Sequence, residues 1–385
     1  MGTRTRRLAR WLAVLLLCAP GAPQARAAQP PFWLLPLRPD NVDDSHVRIS
    51  GNTVVWQKDH GNASEIWLFN HSSGFHQLTR DIFPDELPEI EGSTVVWQHY
   101  DGNDYEIMSY DGSSNQFITN NTSADNCPAI SNGFIGWRGT GALGRDFFLY
   151  PHSPSPQITG DAADDECPRG SAGNFVWSTL ESRGDHDIYG WFPAIGVDPD
   201  HLLYIATSTD EESSPAVSGN LVVYVLGTGS AAEIELYDAN LEYAVPLTSD
   251  GSEDRNPQID GDRVVWEHSD GLDWEIYEYQ VGDLAPQPVT NNGWNDHDPQ
   301  VSGDSIVWVA DEASGSHIWV SWHGGAPRRL TDSTANEQDP RIDGEQIAFE
   351  SCGADGCDIV LAPEPGAGAL AAAALAALLL LARRR

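Results

Sequence analysis

An acidic residue stands three positions before the start of each unit in a repeated pattern: Asp44, Asp85, Asp125, Asp165, Glu212, Asp254, Asp296 and Glu337. The unit starts on a proline in seven cases and on Val47 in the first. A second acid precedes the apolar opening of a later strand, at Glu65, Glu106, Asp146, Asp187, Glu233, Glu275 and Asp358, with His317 in that place in the seventh unit. Carboxylates in such number are hard oxygen ligands, and a ring of them would attract Ca²⁺ or a similar cation. A turn Asp also caps its own backbone amides, so the same spacing suits a purely architectural device. Trp294, in "NNGWND", is a candidate ligand contact. His99 and His268 sit two residues past equivalent tryptophans, too many units apart to share a metal. No nucleophile elbow, paired-His motif, EF-hand loop or phosphate loop occurs, so any catalytic site would have to be assembled from scattered loop residues. Such a site would gather His, Tyr or Arg beside two carboxylates at one mouth of a channel.

The elements that position these groups follow from the period. Aligning Trp56, Trp97, Trp137, Trp177, Tyr224, Trp266, Trp308 and Phe349 gives intervals of 41, 40, 40, 47, 42, 42 and 41 residues. Ten or eleven residues after each aromatic comes the second apolar run: Ile66, Ile107, Phe147, Ile188, Ile234, Ile276, Ile318 and Ile359. Glycine and Asn or Asp mark the turns, β-branched and aromatic residues fill the strands, and about four short strands fit in each unit. Runs such as Val264, Val265, Trp266 do not alternate, as expected of a strand covered on both faces. Units of four strands at this period predict an all-β, eight-bladed propeller of four-stranded blades over residues 29–362. The eighth unit lacks its outer strand and residues 33–38, "WLLPLR", precede the first. Those residues are expected to pair with the strand near Ile359 and close the ring, removing an exposed edge. The aromatic positions are then interblade core, and both acid sets should crowd one mouth of the central channel.

The pattern T-x8-P-x-[I/V]-x-G, followed by an apolar strand and "[D/E]-I-[Y/W]", resembles the repeats of TolB-like propellers over residues 33–362. The resemblance implies a propeller, although eight repeats stand here where TolB's propeller has six blades. Prolyl-oligopeptidase relatives join such a propeller to a hydrolase domain, for which no motif is present.

The ends carry an address. Residues 1–28 order Arg4, Arg6, Arg7 and Arg10 before the apolar "WLAVLLLCAP" and a small-residue site at Ala25–Ala27, the pattern of a signal peptide. From Gly366 to Ala382 no charged or hydrogen-bonding side chain occurs, enough for a transmembrane helix over 366–382. Pro363, Glu364 and Pro365 before it, and Arg383, Arg384 and Arg385 after it, make residues 363–385 similar to the PEP-CTERM sorting signal of Gram-negative bacteria. That resemblance implies signal peptidase and exosortase as processing partners, an inner-membrane-tethered precursor, and delivery to the cell surface or extracellular matrix. A plain membrane anchor is the alternative. The whole chain has 21 basic and 57 acidic residues. Without the two terminal segments 13 basic and 56 acidic residues are left, a net charge of −43. Such a surface repels nucleic acid and anionic lipid and attracts cations and basic partners. Export permits disulfides, and Cys352 with Cys357, or Cys127 with Cys167, are the candidate pairs. Together these features predict a non-catalytic binding or scaffold module for an exported protein or matrix polysaccharide. A carbohydrate-active or other hydrolytic or lyase enzyme and a structural coat component are the alternatives.

Overall fold

A computed structural model describes residues 34–37, 39–61, 63–152, 156–195 and 201–362. The signal peptide, most of the 29–38 segment and the sorting tail, with its Pro363, Glu364 and Arg383, lie outside the described residues. Among the described residues no helix is long and apolar enough to cross a membrane.

Each repeat forms one antiparallel sheet, and eight sheets follow in chain order. Blade 6 shows the plan: Asp254–Asp260, Arg263–Ser269, Trp274–Gln280 and Gln287–Pro288 pair in sequence order. Glycine makes the first turn possible, since Gly261 sits at φ 57°, a backbone conformation most side chains resist. The third strand is tied to the fourth by the recurring threonine, whose hydroxyl accepts the amide at the apolar position. Ile66 N reaches Thr79 Oγ1 at 2.9 Å, Ile107 N reaches Thr119 Oγ1 at 2.7 Å, and Ile276 N reaches Thr290 Oγ1 at 2.8 Å.

The aromatics fill the space between blades. Trp56, Trp97, Trp177, Trp266 and Trp308 are fully buried. Trp97 packs with Val55, Ile66 and Leu68 of the preceding blade, and Trp308 with Val265 and Ile276 of its own predecessor. A strand sandwiched in this way is apolar on both faces, which accounts for its lack of alternation. Polar bonds fasten the same boundaries at the first turn: Gly92 N to Ser50 Oγ, Gly261 N to Ser218 Oγ and Gly344 N to Ser302 Oγ are each 2.9 Å.

The ring closes as expected. Leu35–Leu37 pairs antiparallel with Gly356–Ala362, setting Leu37 opposite Ile359 and Leu35 opposite Leu361. Gly51 N also bonds Asp343 Oδ2 at 2.6 Å, repeating between the last and first blades the turn contact made elsewhere. Two blades depart from the plan. Among the described residues of blade 3 the outer strand is reduced to a bridge of Phe148 with Gln157; Pro151 and Pro156 lack the N–H that a ladder needs. In blade 4 the first strand is split into Asp164–Asp165 and Arg169–Ser171. The segment between His186–Trp191 and Leu202–Ala206 is also long, which explains the 47-residue interval.

Candidate functional site

The eight repeated acids open, or nearly open, the first strand of each blade, and the structure buries every one of them, from 0 % to 3 % exposed. Each lies outside the lining of the central cavity and accepts hydrogen bonds from its own blade or from the connection that leads into it. The carboxylate commonly accepts the indole of the buried tryptophan twelve residues on: Trp97 to Asp85 at 2.7 Å, Trp137 to Asp125 at 2.9 Å, Trp266 to Asp254 at 3.0 Å and Trp308 to Asp296 at 3.1 Å.

A second donor arrives by one of two routes. In blades 1, 2, 4 and 6 it comes from fourteen residues later: Lys58 to Asp44 at 2.8 Å, His99 to Asp85 at 2.8 Å, Thr179 to Asp165 at 2.7 Å and His268 to Asp254 at 2.8 Å. In blades 3, 5, 7 and 8 it comes from four residues earlier: Asn121 to Asp125 at 2.7 Å, Asn292 to Asp296 at 2.5 Å, Ser208 to Glu212 and Ser333 to Glu337. Where the later residue donates, the earlier one is always Asp, at 40, 81, 161 and 250. A buried carboxylate without donors is costly, so each blade supplies one side or the other.

The second acids hold the passage to the next blade. Glu106 Oε1 accepts Asn121 N at 2.5 Å, Glu275 Oε1 accepts Asn292 N at 2.5 Å, and Glu233 Oε1 accepts Gly251 N at 3.1 Å. They thereby lie beside the next blade's first acid, and His317, the exception in sequence, bonds Glu337 at 2.9 Å at that same boundary. Burial drives the resulting proton affinities. Asp44, despite Lys58, is pushed up to about 7, with Asp40 and Asp358 adding to the rise. Asp296 is likewise raised to about 7 by burial with Glu275 contributing, and Asp125 to about 6 by burial with Glu106 contributing. Asp146 rises to about 6 through burial and Asp165.

Three groups among the described residues have the composition to hold a cation. Asp81, Asp85 and His99 in blade 2, Asp250, Asp254 and His268 in blade 6, and Asp101, Asp104 and Glu106 each bring ligand atoms within 4.8 Å of one another. An imidazole suits Zn²⁺ or Mn²⁺ better than Ca²⁺. In blade 1 the Lys58 ammonium fills the corresponding place, 3.0 Å from Asp40 and 2.8 Å from Asp44. Trp294 is 40 % exposed just before the first strand of blade 7. Both candidate disulfides form, with Cα atoms 5.4 Å apart for Cys127–Cys167 and 4.0 Å for Cys352–Cys357.

The channel itself is lined by different residues. The first strand bulges just before the proline, where His46, Leu87, Cys127, Ser214, Asn256, Asp298 and Asp339 all take φ between 48° and 54°. The preceding blade pins several of these strained amides: Gln57 Oε1 accepts Leu87 N at 3.3 Å, Gln98 Oε1 accepts Cys127 N at 3.1 Å, and Glu350 Oε1 accepts His46 N at 2.8 Å. The residue after the proline then faces the axis in every blade, giving Arg48, Glu89, Ala129, Arg169, Ala216, Gln258, Gln300 and Arg341 around a cavity of about 840 Å³. Neither repeated acid set lines it. Arginines do stand beside carboxylates there: Arg48 Nε is 2.7 Å from Glu89, and Arg341 Nη2 is 2.6 Å from Asp339. Sequence reasoning passed over this ring, although the position after each proline could have been read off the same alignment.

Among known proteins, no family profile matches the chain, and no curated sequence does. Solved structures do. The β-propeller domain of the Trilobed protease from Pyrococcus furiosus aligns at 13 % identity with TM-score 0.52, over 76 % of this chain and 98 % of that one. A puromycin-hydrolyzing peptidase of Mycobacterium tuberculosis gives 12 % identity and TM-score 0.55, over 88 % of this chain and 55 % of that one. Acylaminoacyl peptidase of Pyrococcus horikoshii gives 13 % and 0.51, over 80 % and 57 %. The chain thus spans about half the length of these two peptidases, and at such identities the likeness establishes one thing, that the fold is a β-propeller.

Proposed function

We propose that the chain is an exported, surface-sorted and non-catalytic propeller that serves as a binding or scaffold module for an exported protein or a matrix polysaccharide. The observation that carries this reading is a closed ring whose repeated acids are spent inside and between blades. The ring thus closes through its own strands and blade boundaries, and loop residues outside those contacts can vary to suit a partner. The TolB-like repeat pattern supports the same reading, as do the signal-like segment and the PEP-CTERM-like tail, which would send such a ring outside the cell. The purified protein is expected to be retained by the producing organism's own extracellular polymer, tested with and without Ca²⁺. Passage through the column unretarded in both conditions would count against it. The sorting reading has its own test: replacing Pro363 and Glu364 should leave full-length precursor in the membrane, whereas unchanged processing would refute an exosortase.

A second reading draws on the pore, where Arg48 and Arg341 stand beside Glu89 and Asp339 as a hydrolytic or lyase site would require. Release of soluble fragments from the polymer, abolished by Glu89→Gln, would favour it over simple binding.

A further inference from the structure

We infer that the central channel holds a binding site for an oxyanion, a carboxylate or a phosphate, centred on Arg169. In a domain of net charge −43 the innermost ring is the reverse of the rest: three arginines and one glutamate among its eight positions. Arg169 in blade 4 and Arg341 in blade 8 are half a turn apart in an eight-fold ring, so they face each other across the axis.

The ion pairs do not balance. Arg48 is matched by Glu89 at 2.7 Å, with Asp339 at 3.8 Å, and Arg341 is matched by Asp339 at 2.6 Å. Two carboxylates therefore serve those two guanidiniums. The next channel acid, Asp298, is engaged by His297 at 3.0 Å. Burial alone would lower the affinity of that imidazole for its proton, but Asp298 and Asp311 raise it to about 9, so it is a cation at neutral pH. Arg169 has only the side-chain carbonyl of Gln258, 3.4 Å from Nη1, and among the described residues no carboxylate within ion-pair reach.

The geometry suits capture. A guanidinium offers five donors in a planar fork that matches an oxyanion, and among the described residues only one of them, on Nη1, meets a protein acceptor. Water reaches Arg169, which is exposed, yet protein walls the pore on all sides. That surrounding mass, and then the charge of Arg48, hold its proton affinity below the usual arginine value. The same two causes bring Arg341 down to about 10. An anion held there would relieve the repulsion that Arg48 exerts on both. The Cys127–Cys167 bridge anchors the chain two residues before Arg169, so the side chain reaches inward from a fixed base.

The site rests on the pore alone and stands whether or not the export reading does. Isothermal titration of the protein with inorganic phosphate, and separately with glucuronate, at fixed ionic strength set by chloride, is expected to show one saturable site per chain. The stronger of the two separates a phosphate source from a carboxylate source. Arg169→Gln should weaken it by about tenfold or more, since a charge-assisted bidentate contact is lost. Arg145→Gln, which breaks an exposed pair with Asp164 outside the pore, should not. If Arg169→Gln does not fold, phenylglyoxal footprinting of the unaltered protein decides: the anion should shield Arg169 and leave Arg145 reactive. Absence of a saturable heat and of shielding, or full binding retained in Arg169→Gln, overturns the assignment.

Discussion

Lowering the pH from 8 to 5 is expected to stabilise this protein, raising its melting temperature by on the order of 5 °C or more. Acidification usually works the other way, because paired carboxylates lose their charge. Here burial, the largest cause in each case, raises Asp44 and Asp296 to about 7 and Asp125 and Asp146 to about 6. A group whose folded-state affinity for a proton is raised contributes stability that is complete below its unfolded value and is lost as pH climbs through the folded one. For these four carboxyls the loss therefore begins near pH 4, at the unfolded value, and is complete by about pH 7. Above pH 5, Asp44 and Asp296 each account for about 3 kcal/mol of it. His297, raised to about 9 against the effect of burial, adds in the same direction at the upper end. His46 opposes, since burial lowers its affinity and its contribution is lost on acidification below the ordinary histidine value. Asp296→Asn supplies a permanently neutral isostere at a site that is 1 % exposed. It should match the parent near pH 4, exceed it increasingly up to about pH 7 and by a constant amount above that, and flatten the slope of the calorimetric profile. A melting temperature level across this range, or rising with pH, would show that the interblade acids are charged in the folded ring and that the burial argument fails.

The same acids show what the sequence makes legible. Period, blade number and the closing strand could be read because they depend on backbone economy: an apolar run every 40 to 47 residues must be covered on both faces, and a spare strand at one end must meet a missing one at the other. The acids were visible as a set, but their destination was not. Position along a strand tells which end of the sheet a residue occupies, not whether a tryptophan from the next strand reaches back to it. The alternation of donors held the clue. Asp occurs four residues before the acid in the four blades where Lys58, His99, Thr179 or His268 lies fourteen after it, and Asn or Ser occurs there otherwise. Such compensation is the signature of a buried carboxylate. The pore arginines escaped notice because the bulge that turns them inward adds an unpaired residue to each first strand, so strict alternation cannot predict the face on which they emerge.

Replacing Leu37 by Asp should cost about 4 kcal/mol or more, combining a lost core side chain with a carboxylate forced into an apolar site. Leu37 is fully buried among Val47, Val54, Trp56, Ile359 and Leu361, so it joins the last blade to the first. Its strand has only three residues, Leu35–Leu37, and Pro36 is exposed, so the side chain at 37 carries much of the attachment. The substitution should not simply unzip the ring. Asp343 still accepts Gly51 N at 2.6 Å, Gln346 still reaches Asn52 at 2.7 Å, and Glu350 still holds His46 N at 2.8 Å across the same boundary. The expected result is a protein folded at low temperature whose last blade frays first, exposing the edge at Ile359 and Leu361 to protease and to self-association on warming. Pro36→Ala is the matched control and should change stability by less than about 0.5 kcal/mol. Denaturant midpoints and limited proteolysis separate the outcomes. If Leu37→Asp unfolds with the parent and is cut no faster near residue 359, then the two ends are held by the blade interface alone and the short strand is not what closes the ring.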